Sequence, residues 1–137
     1  MENMFLEKDG NNVCLIDWQT VRYGGKLSIA HELVQFFARN VDVEFLNAND
    51  IDEFLQYYLQ ELGNSIKGGE SGISFEELKG LFLKSSNIAI TYIILLGSRL
   101  PFPKQVLPPG NESAQLKLNR HYAVFDRSVS LMNYFLQ

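Results

Sequence analysis

Val13-Cys14-Leu15-Ile16-Asp17-Trp18-Gln19 is the stretch on which the reading of this chain turns. Its first four residues form an unbroken apolar run, which suits a β-strand covered on both faces. An aspartate directly after such a strand has its carboxylate at the strand's end, where it can face a cleft while the strand holds its backbone still. Taken bare, an aspartate in that position more often caps a helix or forms a turn. The neighbouring sequence has to decide between these roles.

Upstream, Met4–Glu7 and Asn12–Asp17 are predicted as two short strands joined at Lys8-Asp9-Gly10-Asn11. Gly and Asn accept the positive φ that a tight hairpin requires. Downstream of Asp17 the apolar period changes from two to about 3.6 residues. Ser28 is placed to cap a helix running to about Arg39, with Ile29, Leu33, Phe36 and Phe37 on one face. A second helix is predicted from Asp50, where Asp50-x-x-Glu53 has the form of a capping box, to a stop at Gly63. Its stripe is Ile51, Phe54, Leu55, Tyr58, Leu59 and Leu62. Asn64–Gly72 reads as a loop. Ser74-Phe75-Glu76-Glu77 is another capping box, opening a long helix towards Leu96 with candidate kinks or breaks at Gly80 and Ser85-Ser86-Asn87. All four prolines fall in Gly97–Gly110, which is expected to be irregular. A last helix is predicted over Glu112–Phe135, burying Leu118, Tyr122, Phe125, Val129, Met132 and Leu136. The fold class is therefore mainly α with a short N-terminal β-hairpin, which the helices must cover because a lone hairpin is marginal.

The 137 residues, 46% apolar and 20% charged, are enough for one domain with a real core. A net charge of −4 without a basic patch argues against nucleic acid as a partner. The single cysteine, Cys14, cannot form an internal disulfide and reads as a buried small hydrophobe. The start, Met1-Glu2-Asn3-Met4, lacks the positive charge of a secretory signal. The most apolar run, Ile88–Gly97, is about half the length needed to cross a bilayer and reads as a buried helix segment. No membrane role and a cytoplasmic location are the expectations.

What decides the reading of Asp17 is a resemblance. Asn3-Met4-Phe5-Leu6, a turn, Leu15-Ile16-Asp17-Trp18-Gln19 and then Tyr23-Gly24-Gly25 resemble the catalytic-loop end and metal-binding segment of aminoglycoside-phosphotransferase and choline-kinase-like small-molecule kinases. The ecdysteroid-kinase-like branch is particularly similar. Members carry H-G-D-x-x-x-x-N, a short apolar strand, a hairpin, I-D-W or I-D-F often followed by Gln, and a helix of the form D-L-A-x-F-L. The resemblance implies that Asn3 and Asp17 are metal ligands, for Mg²⁺ bound with ATP, and that Gln19 contacts the nucleotide. A carboxylate and an amide are hard oxygen donors, which suits Mg²⁺ in phosphoryl transfer. It further implies a small-molecule hydroxyl as substrate and the C-terminal lobe of a protein-kinase-like fold. Ser74-Phe75-Glu76-Glu77-Leu78 continues the likeness but carries only capping and core signals.

The departures are as informative. The D-L-A-x-F-L helix stands here as Glu32-Leu33-Val34-Gln35-Phe36-Phe37, about three residues late. Counting five residues back from Asn3 passes Met1, so the motif's catalytic aspartate is not among these residues, and no catalytic residue is assigned. The phosphate-contacting lysine and the nucleotide lobe are missing too, and Gly68-Gly69-Glu70-Ser71-Gly72 is no P-loop. The expectation is a single partial domain over residues 1–137, with the metal-binding hairpin in 1–19 and a helical subdomain in 28–137. On this reading the chain is the C-terminal fragment of a kinase and inactive alone. Half of a two-chain enzyme with a separate N-terminal lobe, and a non-catalytic binding module, stay open. His31 and His121 have no metal-ligand spacing. Asp52, Glu53, Glu76 and Glu77 are read as first-turn residues complementing helix dipoles rather than as a site for a cationic substrate. Tyr58 lies on the core stripe, which weakens Tyr57-Tyr58 as a cation–π wall.

Overall fold

The structure is a computed structural model of the chain, and it describes residues 4–6, 13–15, 25–66 and 71–136. Strands β1 (Met4–Leu6) and β2 (Val13–Leu15) pair antiparallel, with Met4 opposite Leu15, Phe5 opposite Cys14 and Leu6 opposite Val13. Among the described residues, everything from Lys26 onward is helical or irregular: α1 (Lys26–Asn40), α2 (Ala48–Ser65), α3 (Phe75–Lys84), α4 (Asn87–Gly97) and α5 (Glu112–Phe135). The chain is mainly α.

Helix α1 starts before Ser28, at Lys26, with Gly25 as its uncapped N-cap. Ser28 lies inside the first turn and donates its backbone N–H to the Gly25 carbonyl at 2.8 Å. Leu33 and Phe37 are buried as the periodicity requires, while Ile29 and Phe36 are only partly covered. Helix α2 also starts earlier than its predicted cap. Asn47, not Asp50, is the N-cap: its side-chain oxygen accepts from the Asp50 N–H at 3.1 Å, and its amide donates to the Asp50 carboxylate at 2.6 Å. The cap stands three residues upstream of the predicted one, and its return bond comes from the Asn47 side-chain amide and not from its backbone N–H. Gly63 is buried within α2 rather than ending it.

Ser74 caps α3 as expected, its hydroxyl accepting from Glu77 N–H at 3.1 Å, while the Glu77 carboxylate turns to Lys26 instead of closing the box. The long helix after it is two helices. It breaks at Ser85-Ser86, not at Gly80, and the buried Ser85 turns its hydroxyl back on the Leu81 carbonyl at 2.8 Å. Residues 75–97 together have the length and hydropathy of a membrane-crossing helix. The break divides them into pieces of 10 and 11 residues, about 15–17 Å each against a hydrocarbon core of roughly 30 Å.

The core lies where α1, α2, α3 and the C-terminal end of α5 meet. Phe37 sits edge-on to Phe54 (centroids 4.8 Å) and to Phe82 (5.6 Å), and Phe82 reaches Phe135 at 5.5 Å. Around them Ile51, Leu55, Leu78 and Leu131 are fully buried. Helix α5 is rotated from its predicted face. It buries Tyr122, Ser128, Leu131 and Tyr134, while Val129 is 39% exposed and Leu136 78% exposed. Small Ser128 sits on the inward side, its hydroxyl satisfied by the Val124 carbonyl at 2.8 Å, and partners distant in sequence draw Tyr134 inward.

Candidate functional site

Asn3, Asp17 and Gln19, the residues assigned to metal and nucleotide, lie outside the described residues, as does Trp18. What is described is the pairing of β1 with β2, which follow Asn3 and precede Asp17 in the chain. Among the described residues no three His, Cys, Asp or Glu side chains gather closely enough to hold a metal ion.

Of the four acidic residues considered in the sequence, Glu77 and Asp52 have ion-pair partners. Glu77 pairs with Lys26 at 2.9 Å, joining the N-terminal ends of α3 and α1. Because α2 begins at Ala48, Asp52 and Glu53 fall past the first turn, and Asp50 is the acidic residue at the dipole. Asp52 has a different role. One carboxylate oxygen meets Lys79 of α3 at 2.5 Å, and the other accepts the Tyr134 hydroxyl of α5 at 2.7 Å. Burial and the adjacent carboxylate raise the Tyr134 phenol well above its ordinary range. No sequence signal announces this triangle, since its members lie on three separate helices. Tyr57 is 60% exposed, whereas Tyr58 is half-buried and its phenol is raised by desolvation.

A cleft of about 420 Å³ opens between the proline-rich segment and α5, lined by Lys104, Gln105, Gln115, Asn119, Tyr122 and Asp126 among others. Its polar groups are largely spent on closing the segment down. Tyr122 donates its hydroxyl to the Pro101 carbonyl and accepts from the Gln105 N–H. Gln115 accepts from the Leu107 N–H at 2.6 Å and donates to the Gln105 carbonyl, and Lys104 pairs with Asp126 at 2.6 Å. The cleft is the seam under a strap.

The sequence pattern of the ecdysteroid kinase-like family matches residues 1–68. Over that stretch the chain belongs to the ecdysteroid kinase-like family. Neither a curated protein nor a solved structure matches it. The match to the ecdysteroid kinase-like pattern includes Asn3, Asp17 and Gln19, then α1 and α2, and stops before α3. Members of this family are small-molecule kinases of the protein-kinase-like type.

Proposed function

We propose that this chain supplies the magnesium-binding side of an ATP-dependent phosphotransferase acting on a hydroxyl of a small molecule. The observation that carries the proposal is the family match over residues 1–68, which spans Asn3, Asp17 and Gln19 in motif order. The mainly α body after the hairpin is consistent with the C-terminal lobe of a kinase-like fold.

In this reading the Asp17 carboxylate and the Asn3 amide oxygen hold Mg²⁺, a donor set of the hard oxygens that ion prefers. The bound ion neutralises charge that develops on the phosphate oxygens. Gln19 contacts the nucleotide. Neither the motif's catalytic aspartate nor its phosphate-contacting lysine has a match among these 137 residues. Because phosphoryl transfer depends on positioning all these groups together, two ligands alone give little rate.

Two assays test the reading. The 137-residue chain, incubated with Mg²⁺, ATP and a panel of hydroxyl acceptors, is expected to show no phosphotransfer. The full reading frame is expected to show it, and Asp17→Ala to lower kcat by roughly 10²–10³. Turnover by the isolated chain that Asp17→Ala abolishes refutes the need for outside groups. Full-frame activity indifferent to Asp17 refutes the assignment itself.

A further inference from the structure

Helix α4 holds no charged residue from Ser85 to Ser98, and its apolar residues lie all round it. A helix of that kind is one that other structure covers. Ala89 is fully buried in the core, and Gly97 lies so close to α5 that a Cβ there would stand 3.2 Å from the Phe125 ring. One side is open: Ile90 is 40% and Ile94 67% exposed, one turn apart, with Leu83 and Leu95 exposed beyond them. Ile88–Gly97 is thus not the buried segment its composition predicts. Thr91 and Ser98 share this side, but their hydroxyls already donate to the Asn87 and Leu95 carbonyls at 2.7 and 3.0 Å. Covering them leaves no donor unpaired. Asn87 is the first residue of α4 and stands at the edge of the open side.

The same chain holds a piece of structure in need of cover. Among the described residues, β1 and β2 pair only with each other, and all six of their residues are apolar. Successive residues of a strand alternate between its faces, so both faces of this two-stranded sheet are apolar, and such a sheet alone is marginal in water. The nine residues 16–24 join it to α1, and a chain of that length spans up to about 30 Å. Helix α1 packs on α4 and is itself only about 22 Å long, so α4 is within reach. Charge agrees. From Leu78 to Asn111 there are four cations and no carboxylate. Lys79 and Lys104 are paired with Asp52 of α2 and Asp126 of α5. Lys84 and Arg99, just beyond the two ends of α4, are exposed and have no ion pair among the described residues. Residues 1–15 hold three carboxylates, Glu2, Glu7 and Asp9, against one cation, Lys8.

We propose that the open side of α4 is the seat of the chain's own β1–β2 hairpin, with Lys84 and Arg99 facing the hairpin's carboxylates. Asn3 immediately precedes β1 and Asp17 follows β2 by two residues. On the function proposed above, Ile90 and Ile94 are therefore positioning residues for the magnesium ligands, and only this consequence rests on that function. A second copy fits the open side less well. A two-fold contact sets the same patch against itself, so Lys84 and Arg99 of one copy would meet cations of the other, a repulsive arrangement. An anionic bilayer also fits less well, because the chain's net charge of −4 is repelled by such a leaflet.

The test is site-specific photocrosslinking in the 137-residue chain, which needs no activity. Benzoylphenylalanine replaces Ile94, whose exposure lets it be changed without disturbing the core, and the adduct is mapped by mass spectrometry after irradiation with and without phosphatidylserine vesicles. The expected adduct is intramolecular and lies within residues 1–15. Its yield is expected to fall about fivefold in Lys84→Glu/Arg99→Glu, and the same probe at the exposed Tyr57 of α2 is expected to give none there. An adduct to a second copy, to the vesicles or to the helices alone, equal yield from Tyr57, or no adduct at all overturns the docking. In the full reading frame, Ile94→Glu is expected to raise the Mg²⁺ concentration for half-maximal phosphotransfer about fivefold, with kcat at saturating Mg²⁺ retained. An unchanged Mg²⁺ requirement overturns the positioning role. The outcome separates from that of the function assay. An adduct within residues 1–15 with activity indifferent to Asp17 sinks the assigned chemistry alone, and Asp17-dependent activity with a wrong adduct sinks the docking alone.

Discussion

Tyr134 lies in the last turn of α5 and Tyr122 near its middle, and both are buried with their hydroxyls hydrogen-bonded. Their surroundings differ in kind. Tyr134 stands at the edge of the aromatic cluster, 6.0 Å from Phe82, and its hydroxyl joins an ion pair that ties α2 to α3. Tyr122 lies under the proline-rich strap, where its ring neighbour Phe102 is itself 54% exposed and its hydrogen-bond partners are backbone groups of the strap. One end of α5 is held by elements that all depend on each other. The other half carries the proline-rich strap, whose hydrogen bonds to Gln115 and Tyr122 involve none of the aromatic cluster. Global stability should follow the first and local protection the second.

The sharpest way to break the comparison is Phe82→Ala. Phe82 is fully buried and touches Phe37, Tyr134 and Phe135, so its truncation leaves a cavity where four helices meet. A loss of about 3–5 kcal/mol is expected, a large fraction of the roughly 5–15 kcal/mol typical of a domain. Urea unfolding followed by far-UV circular dichroism checks it. A loss under about 1 kcal/mol would mean that the aromatic cluster is not what holds the helices together.

Tyr134→Phe sharpens the same contrast at smaller scale. It keeps the ring and removes the bond to Asp52, and a hydrogen bond to a charged group is worth about 1.5–3 kcal/mol. The Lys79 ion pair stays and water reaches the partly exposed carboxylate, so the low end is expected. The pH dependence follows from the raised phenol. The folded state favours the protonated form, so this contribution is complete below the unfolded value near 10. It is lost as pH rises from there through the higher folded value. Stability of the wild-type chain should therefore fall above about pH 10, and Tyr134→Phe should flatten that limb. Equal slopes in the two proteins would show that the phenol does not titrate with unfolding.

This end of the molecule also shows what a sequence can and cannot say. Ser74-x-x-Glu77 marks its helix start because all the chemistry of the cap is local. The start of α2 is ambiguous, since Asn47, Asn49 and Asp50 are all cap-forming residues and only the backbone chooses Asn47. The buried face of α5 is less legible still. Val129, Met132 and Leu136 make as good a helical stripe as Ser128, Leu131 and Tyr134, and the choice is made by Phe82, Asp52 and Lys79, far away in the chain. Asn3, Asp17 and Gln19 are legible only through the motif in which they stand, because no spacing rule by itself separates a metal-binding aspartate from a capping one.

The strap tests the other half of the comparison. Tyr122→Phe removes a hydroxyl that donates to the Pro101 carbonyl and accepts from the Gln105 N–H. A neutral hydrogen bond contributes about 1 kcal/mol, roughly fivefold in an opening equilibrium. Gln115 still grips the Leu107 N–H and the Gln105 carbonyl, and Phe125 still packs on Phe102 with centroids 5.3 Å apart. The strap should therefore loosen at Gln105 without detaching. Native-state hydrogen exchange is expected to show the Gln105 amide exchanging about fivefold faster, with Leu107 less affected and the core amides of α1 and α3 unchanged. If the core amides accelerate in step with Gln105, the strap and the core open as one unit, and the two ends of α5 are not independent.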